Sequence, residues 1–245
     1  MDKHHVENRR MYDRLGRDYA EKRKSESQSF WNDQVELPGV SQLLTPHLKG
    51  STFLDLACGP GLRTKYWQEK VENYFASDFC YSLLSIAKED HNMLGKWIQA
   101  DAENLPYKSK TFDLVLSSLL LHYFQDLNPI FKEVSRIIKP GGSFVFSFHH
   151  PFDEILSHAP SDKFPVILRN YHDEKSYQWG MLNMSFTSFH HKIETIVNTI
   201  NNNGFFLDEL VEPRPAPESK SINEKAFAYT NRFPSFMAIK ATKRS

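Results

Sequence analysis

The chain has 245 residues, 40% of them hydrophobic, which suffices for one sizeable α/β domain with a small appendage. Thirty basic residues balance thirty acidic ones, so no global field recruits nucleic acid or an anionic membrane. Two cysteines, Cys58 and Cys80, are too few for a disulfide framework. With a charged start and no apolar run near the roughly 20 residues that span a bilayer, the expected setting is reducing and cytoplasmic.

Residues 4–24 read as a charged helix whose aromatic points, Tyr12 and Tyr19, lie seven apart and share a face. The polar stretch KSESQS follows, and then a second helix over 35–48, broken at Pro46. From residue 51 strands and helices alternate: strand 52–57, helix 62–71, strand 73–77, helix 81–90, strands 96–100 and 112–117, helix 126–138, strand 143–149. KPGG at 139–142 reads as a break before that last strand. Residues 151–190 look like an aromatic-rich insertion. A helix over 191–203 and strands over 205–211 and 235–241 complete the chain. Such alternation predicts an α/β fold: a doubly wound, Rossmann-like, mostly parallel sheet of seven strands with helices on both faces. The expected division is an N-terminal helical lid over 1–50 and a binding domain over 51–245 that carries the insertion.

The stretch FLDLACGPGLRTKYW, 53–67, holds the densest chemical signal. An apolar strand ends in a turn kept free of bulk by Ala57, Gly59 and Gly61, so a ligand can approach the main chain closely. Leu62, Tyr66 and Val71 are spaced for the helix that follows. A dinucleotide fingerprint needs a third glycine where Thr64 stands, and no Gly-Lys-Ser/Thr marks a phosphate loop. Asp55, near the strand end, would repel a pyrophosphate and suits a cationic ligand.

Five segments and the single acid Asp78 resemble one family in order and spacing. DLACGPG (55–61) resembles motif I of class I S-adenosylmethionine-dependent methyltransferases, with Ala57 in place of the usual first glycine. Asp78, QADAENLPY (99–107), FDLVLSSLLLHY (112–123), IKPGG (138–142) and GFFLDELVEP (204–213) continue the likeness over most of the chain. The likeness is nearest to the ubiquinone-biosynthesis-like, type 11 group that acts on small molecules. It implies S-adenosyl-L-methionine as cofactor and S-adenosyl-L-homocysteine as product. By the same likeness Asp55 serves the donor's positive groups and Ala57, Gly59 and Gly61 lie along its methionine part. Asp78 accepts from the ribose hydroxyls, with Phe79 beside it. Asp101 accepts from the adenine amino group and Ala102 offers a backbone N–H. Ser117 gives a carbonyl to the ammonium, and Tyr12 and Tyr19 belong to a lid. Read alone, Asp101 is equally a capping acid and Asp78 a turn acid, and both tyrosines equally dock the helix.

Methyl transfer from a sulfonium has its leaving group in place, so alignment dominates and a base helps only a protonated nucleophile. His122 after the fourth strand and His150 in the pair His150-Pro151 after the fifth are the candidate bases, against the commoner packing role. His149-His150 and His190-His191 alternate sides in a strand and make poor chelating pairs, and the cysteines lack CxxC spacing; no metal is expected. Phe152, Tyr171, Tyr177, Trp179, Met181 and Phe186 either wall an acceptor pocket or are ordinary core, and Arg169 and Arg214 either meet an acidic group or are surface. The fourth strand ends in SSLL rather than the D/N-P-P-Y/F of nucleic-acid amino methylation, and there is no Pro-Cys nucleophile. The expected acceptor is therefore a small molecule, oxygen before nitrogen or carbon, with no nucleic-acid or membrane partner, on a monomer or homodimer. The alternatives are a non-catalytic S-adenosylmethionine-binding protein and, more remotely, a nicotinamide oxidoreductase.

Overall fold

A computed structural model of the chain describes residues 3–25, 29–91, 96–157, 167–168 and 170–244. Helix α1 spans Lys3–Lys24, with non-helical angles at Gly16. A π-turn over Trp31–Glu36 runs into α2, Leu37–Leu44. Then come β1 (Thr52–Leu56), α3 (Thr64–Trp67), β2 (Asn73–Asp78), α4 (Tyr81–His91), β3 (Lys96–Gln99), β4 (Phe112–Ser118), α5 (Asn128–Ile137) and β5 (Ile138–His149). The insertion holds α6 (Pro151–Ile155), short strands β6 (Leu156–Ser157) and β7 (Ile167–Leu168), and a hairpin of β8 (Ser176–Met181) and β9 (Met184–Phe189). Helix α7 (Ile193–Asn202), β10 (Phe205–Val211), α8 (Glu224–Thr230) and β11 (Phe236–Lys243) close the chain.

The seven-stranded sheet runs β10-β11-β5-β4-β1-β2-β3. β1 pairs in parallel with β2 and β4, and β11 lies antiparallel to both neighbours, so the sheet is mixed but mostly parallel. The chain winds outward from β1 to β3, then returns to the far side of β1 as β4. That reversal opens a crevice at the carboxyl ends of β1 and β4, where open α/β sheets hold their ligands.

Both faces of the sheet are covered. Leu54, Leu56, Val115, Phe144 and Phe146 pack with Ile130, Phe131 and Val134 of α5 and Ile196 and Ile200 of α7. The residues between them, Phe53, Leu114, Leu116 and Val145, pack with Val40, Leu43 and Leu44 of α2 and with Trp67 of α3. This alternation along continuously apolar strands is what two buried faces demand, each large side chain contributing roughly 1.5–3 kcal/mol.

Several boundaries differ from the expectation. The helix after the glycine turn is a single turn, and Trp67 rather than Tyr66 points inward: Trp67 is 1% exposed and Tyr66 50%. One helical turn is too short to display an amphipathic period, and the largest apolar side chain takes the core site. KPGG does not end before a strand but bulges inside β5: Phe112 pairs with Ile138 and Leu114 with Ser143, and Lys139 Nζ bonds both Asp113 carboxylate oxygens at 2.8 and 2.9 Å. The β8–β9 hairpin was invisible as strands because its turn is Leu182-Asn183, both at positive φ (51° and 61°), without the usual glycine. α8 is capped by Asn223, whose side chain accepts from the Ala226 N–H. Arg169 lies outside the described residues.

α1 lies across the crevice and is tied to the insertion. Asn8 Nδ2 donates to Thr187 O (2.7 Å) and Thr187 N donates to Asn8 Oδ1 (3.0 Å), a reciprocal pair that joins the helix to β9 like an added strand partner.

Candidate active site

A cavity of about 430 Å³ lies at the carboxyl ends of β1, β2, β4 and β5, roofed by α1 and the β8–β9 hairpin. Asp55, Ala57, Gly59, Asp78, Phe79, Tyr12, Tyr19 and His122 all line it. Gly61, Asp101, Ala102, Ser117 and His150 do not.

The two glycines of the turn do different things. Gly59 has φ +57° and nothing within 4 Å of where a Cβ would stand, so its bare side is open. Gly61 has φ +70°, but a Cβ there would meet Ala87 at 3.1 Å and Trp97 at 3.3 Å; its bareness serves helix packing rather than a ligand. Ala57 keeps the left-handed conformation, φ 62°, that a glycine would take freely. The cost is of order 1 kcal/mol, offset in part by the Ala57 and Cys58 N–H groups, which both donate to Ser77 O at 2.7 and 3.1 Å.

Asp78 braces this turn. Its Oδ2 accepts from Gly59 N and its Oδ1 from Cys80 N, both at 2.8 Å. Each oxygen keeps further acceptor capacity toward the cavity. Burial raises its pKa above the ordinary carboxylate value, and the two N–H donors oppose that rise. Asp55 is 5% exposed and accepts from the Tyr74 hydroxyl at 3.0 Å. Burial, only partly opposed by that bond and by Arg63, pushes its carboxyl up to about 6.

At the Phe79 side, α1 brings Arg9 over the ring, 4.4 Å from its centroid, and His5 at 4.7 Å. Asp101 is not among the lining residues: its Oδ1 accepts from Glu103 N (3.0 Å) in an Asx-type turn, and it stands beside the lining residue His5, with polar atoms of His5, Asp101 and Glu103 within 4.8 Å of one another. Ala102 is buried in the core cluster and Ser117 is fully buried in β4, whereas Ser118 and Leu119 after it reach the cavity. Leu119 sits at φ 55° and donates to Ser147 O, a strained bend where the strand meets the site.

The histidine expectation is corrected in part. His150 faces away from the cavity: its Nε2 meets Glu212 Oε1 at 3.0 Å and its Nδ1 accepts from Phe152 N at 3.1 Å. Both ring nitrogens are thus engaged. His149, one residue earlier on the opposite side of β5, lines the cavity instead and stacks on His122 with centroids 4.1 Å apart and planes at 10°. His149 Nδ1 meets the Tyr177 hydroxyl at 3.1 Å. Both nitrogens of His122, which is 2% exposed, lack a protein partner. Burial holds His149 near 4, and burial together with the His149 and His191 charges holds His122 well below 6.5, so the stacked pair is neutral at pH 7. Leu119, Trp179, Met181 and Phe236 complete this end as an apolar wall. Of the other aromatic candidates, Phe186 is core, fully buried against Trp179 and Tyr12, and Phe152 is 39% exposed.

Sequence reasoning missed a buried ionic cluster beneath the turn. Glu36, fully buried, pairs with Arg63 (Nη2 to Oε2, 2.5 Å) and accepts from the Ser118 hydroxyl at 2.8 Å and from that of Ser147. Arg63 also donates to Ser118 Oγ (2.6 Å) and to Asn32 O (3.0 Å). The one available signal was an acid, Glu36, inside the apolar run VELPGV.

A seven-stranded sheet with its last strand antiparallel beside the fifth, and a bare turn between two buried acids at the switch point, define the Rossmann-like S-adenosylmethionine-binding methyltransferase fold. Residues 54–146 match the methyltransferase domain family. The chain carries a class I methyltransferase domain of the type 11 group, and its cofactor is S-adenosylmethionine. The crystal structure of an S-adenosylmethionine-dependent methyltransferase from Mesorhizobium loti superposes with a TM-score of 0.75 at 25% identity, covering 85% of this chain and 97% of that one. An uncharacterised Haemophilus influenzae protein is 25% identical over 86% of this chain and 88% of its own length. The malonyl-[acyl-carrier protein] O-methyltransferase of Salmonella typhimurium is 32% identical over 40% of this chain; the match spans only 38% of that protein. No described helix is long and apolar enough to cross a membrane.

Proposed function

We propose that the protein methylates a small-molecule acceptor, oxygen favoured over nitrogen or carbon, using the domain's cofactor in the cavity between the glycine turn and the His122–His149 stack. One observation carries this reading: one continuous cavity joins a cofactor-like end, with Gly59 and Asp78, to an apolar end with two neutral imidazoles. The open side of Gly59, the acceptor capacity of Asp78 and the buried Asp55 fit a ligand that combines ribose hydroxyls with positive charge. When bound, the cofactor supplies a methyl group activated by its sulfonium.

Within this reading Asp78 holds the ribose and fixes the turn, Asp55 balances positive charge, and Tyr12 and Tyr19 roof the cofactor from α1. Asp101 frames that end, and the Ala102 N–H and the Ser117 carbonyl serve the adenine and the ammonium through the backbone, their side chains lying outside the cavity lining. Trp179, Met181 and Phe236 exclude water and confine the acceptor. His122 accepts a hydrogen bond from the acceptor hydroxyl. With its basicity lowered by burial it orients the nucleophile more than it removes the proton, so alignment leads the reaction. The O-methyltransferase activity named for the Salmonella relative supports oxygen as acceptor atom. Incubation with methyl-labelled cofactor and fractionated metabolite extract tests the reading. Label in a base-labile ester or an ether supports it; label only in protein or nucleic acid, or none, refutes it.

A further inference from the structure

Among the described residues three carboxylates line the cavity, and the cofactor reading employs two of them, Asp55 and Asp78. The third, Asp153, sits on α6 just past β5 and has no part in that reading. Backbone bonds fix its surroundings. Asp153 N donates to His150 O and His150 N donates to Ser235 O, both at 2.9 Å. Phe236 pairs with His149 across β11 and β5, their ring centroids 5.9 Å apart. Asp153, Ser235, Phe236 and His149 thus gather at one corner beside the His122–His149 stack, and all four line the cavity.

Two features of this corner select its ligand. Ser235 is 1% exposed and its Oγ has no partner. A buried hydroxyl left that way is costly, so it marks a place shaped for a polar group. Asp153 Oδ1 accepts from the Tyr229 hydroxyl, and a carboxylate accepts at about four positions, so that bond does not exhaust it. The lining cations, Arg9, Lys22, Arg23 and Arg63, come from α1 and from the segment after the glycine turn. Arg23 meets Asp33 at 3.2 Å and Arg63 meets Glu36 at 2.5 Å. Among the described residues β5, α6, the hairpin and β11 bring no lysine or arginine to the lining, while Trp179 and Phe236 bring aromatic rings. A carboxylate, a buried hydroxyl and aromatic walls together attract a cation and repel an anion.

We propose that the acceptor carries an amine, protonated at pH 7, which Asp153 and Ser235 hold against Trp179 and Phe236. This rests on the methyl-transfer reading above and narrows it to hydroxylated amines. An ammonium bears no lone pair, so the amine is a handle, and the oxygen that meets His122 is the atom methylated. An acceptor whose only charge is negative is disfavoured by the same carboxylate.

Calorimetric titration of the full chain loaded with S-adenosylhomocysteine tests it with three probes that share a ring and differ in charge: benzylamine, benzyl alcohol and benzoate. At pH 7 benzylamine should bind about tenfold or more tighter than the alcohol, the scale of a hydrogen bond to a charged group, with benzoate weakest. Asp153→Asn keeps an acceptor for Tyr229; it should bring the amine within about twofold of the alcohol and leave S-adenosylhomocysteine affinity unchanged. Ser235→Ala should weaken the amine about two- to tenfold. No amine binding, equal affinity for amine and alcohol, or an amine preference that survives Asp153→Asn overturns the proposal. Unfolding midpoints identify a variant that misfolds, and the wild-type ranking of the probes decides the matter without either variant. Metabolite extract split on a cation exchanger and incubated with methyl-labelled cofactor separates the proposal from the activity itself. Label in the retained pool supports the amine. Label confined to the unretained pool overturns it while methyl transfer stands, and label in neither pool overturns both.

Discussion

Asp55→Asn should make the free protein more stable and a poorer binder of its cofactor, and both effects can be sized. Burial raises the Asp55 carboxyl to about 6 from an ordinary value of 3.8. A carboxyl whose pKa is higher folded than unfolded favours the folded state only while protonated, so stability falls as pH rises from about 4 to about 6. That difference corresponds to about 3 kcal/mol of destabilisation at pH 7. Asparagine retains an acceptor for the Tyr74 hydroxyl and removes the buried charge, so it should recover a large part of this, read as a raised unfolding midpoint at pH 7 and little change at pH 4. The same charge should favour the cationic cofactor over its neutral-sulfur product. If Asp55 must be ionised for the sulfonium, wild-type affinity for S-adenosylmethionine relative to S-adenosylhomocysteine falls about tenfold between pH 7 and pH 5, because a group titrating near 6 is then about one-tenth ionised. The α-ammonium is common to both ligands and cancels in the ratio. Calorimetry across pH 5 to 7.5 measures it. A flat ratio in the wild type, or a variant no more stable than wild type at pH 7, would refute the charge-storage reasoning.

Asp78→Ala should weaken S-adenosylhomocysteine binding by about 1.5–3 kcal/mol, the scale of hydrogen bonds to a charged group, and loosen the turn it braces through Gly59 N; unchanged affinity in an intact fold removes Asp78 from the site. Gly59→Val should abolish cofactor binding while the protein still folds, since the new side chain enters open space yet resists φ +57°; retained affinity means the turn is structural only. His122→Ala should lower the single-turnover rate about 10²-fold, with no acidic limb near 6.5 in the wild-type profile because burial holds the imidazole neutral below that pH. His150→Ala should leave the rate within a few-fold and lower the unfolding midpoint instead, because its ring is tied to Glu212 and Phe152 N outside the cavity; a rate collapse there would return it to the reaction.

The glycine turn, the two acids and the winding order were legible because each is local. An apolar run, a bare turn and an acid about one βα unit further on lie in a single stretch of chain, and backbone sterics alone fix what they form. β10 was read with its observed bounds, 205–211, for the same reason. The histidine parity was not legible. Alternation says that His149 and His150 face opposite sides, but a central strand of this sheet is buried on both, so no polarity pattern marks which side holds the cavity. Packing of β11 and the insertion decided it. Asp101 likewise offered two roles at equal sequence cost, and only the contact of its oxygen with Glu103 N shows which one the free protein adopts. Arg23, Arg63 and Glu36 carry no spacing signature, since their partners come from different segments of the chain. The sequence by itself determined the sheet, its crevice and the turn that faces it, through short-range backbone and periodicity rules. Only tertiary structure decided which charged and imidazole groups look into the crevice, because burying a charge is settled by partners that folding brings from afar.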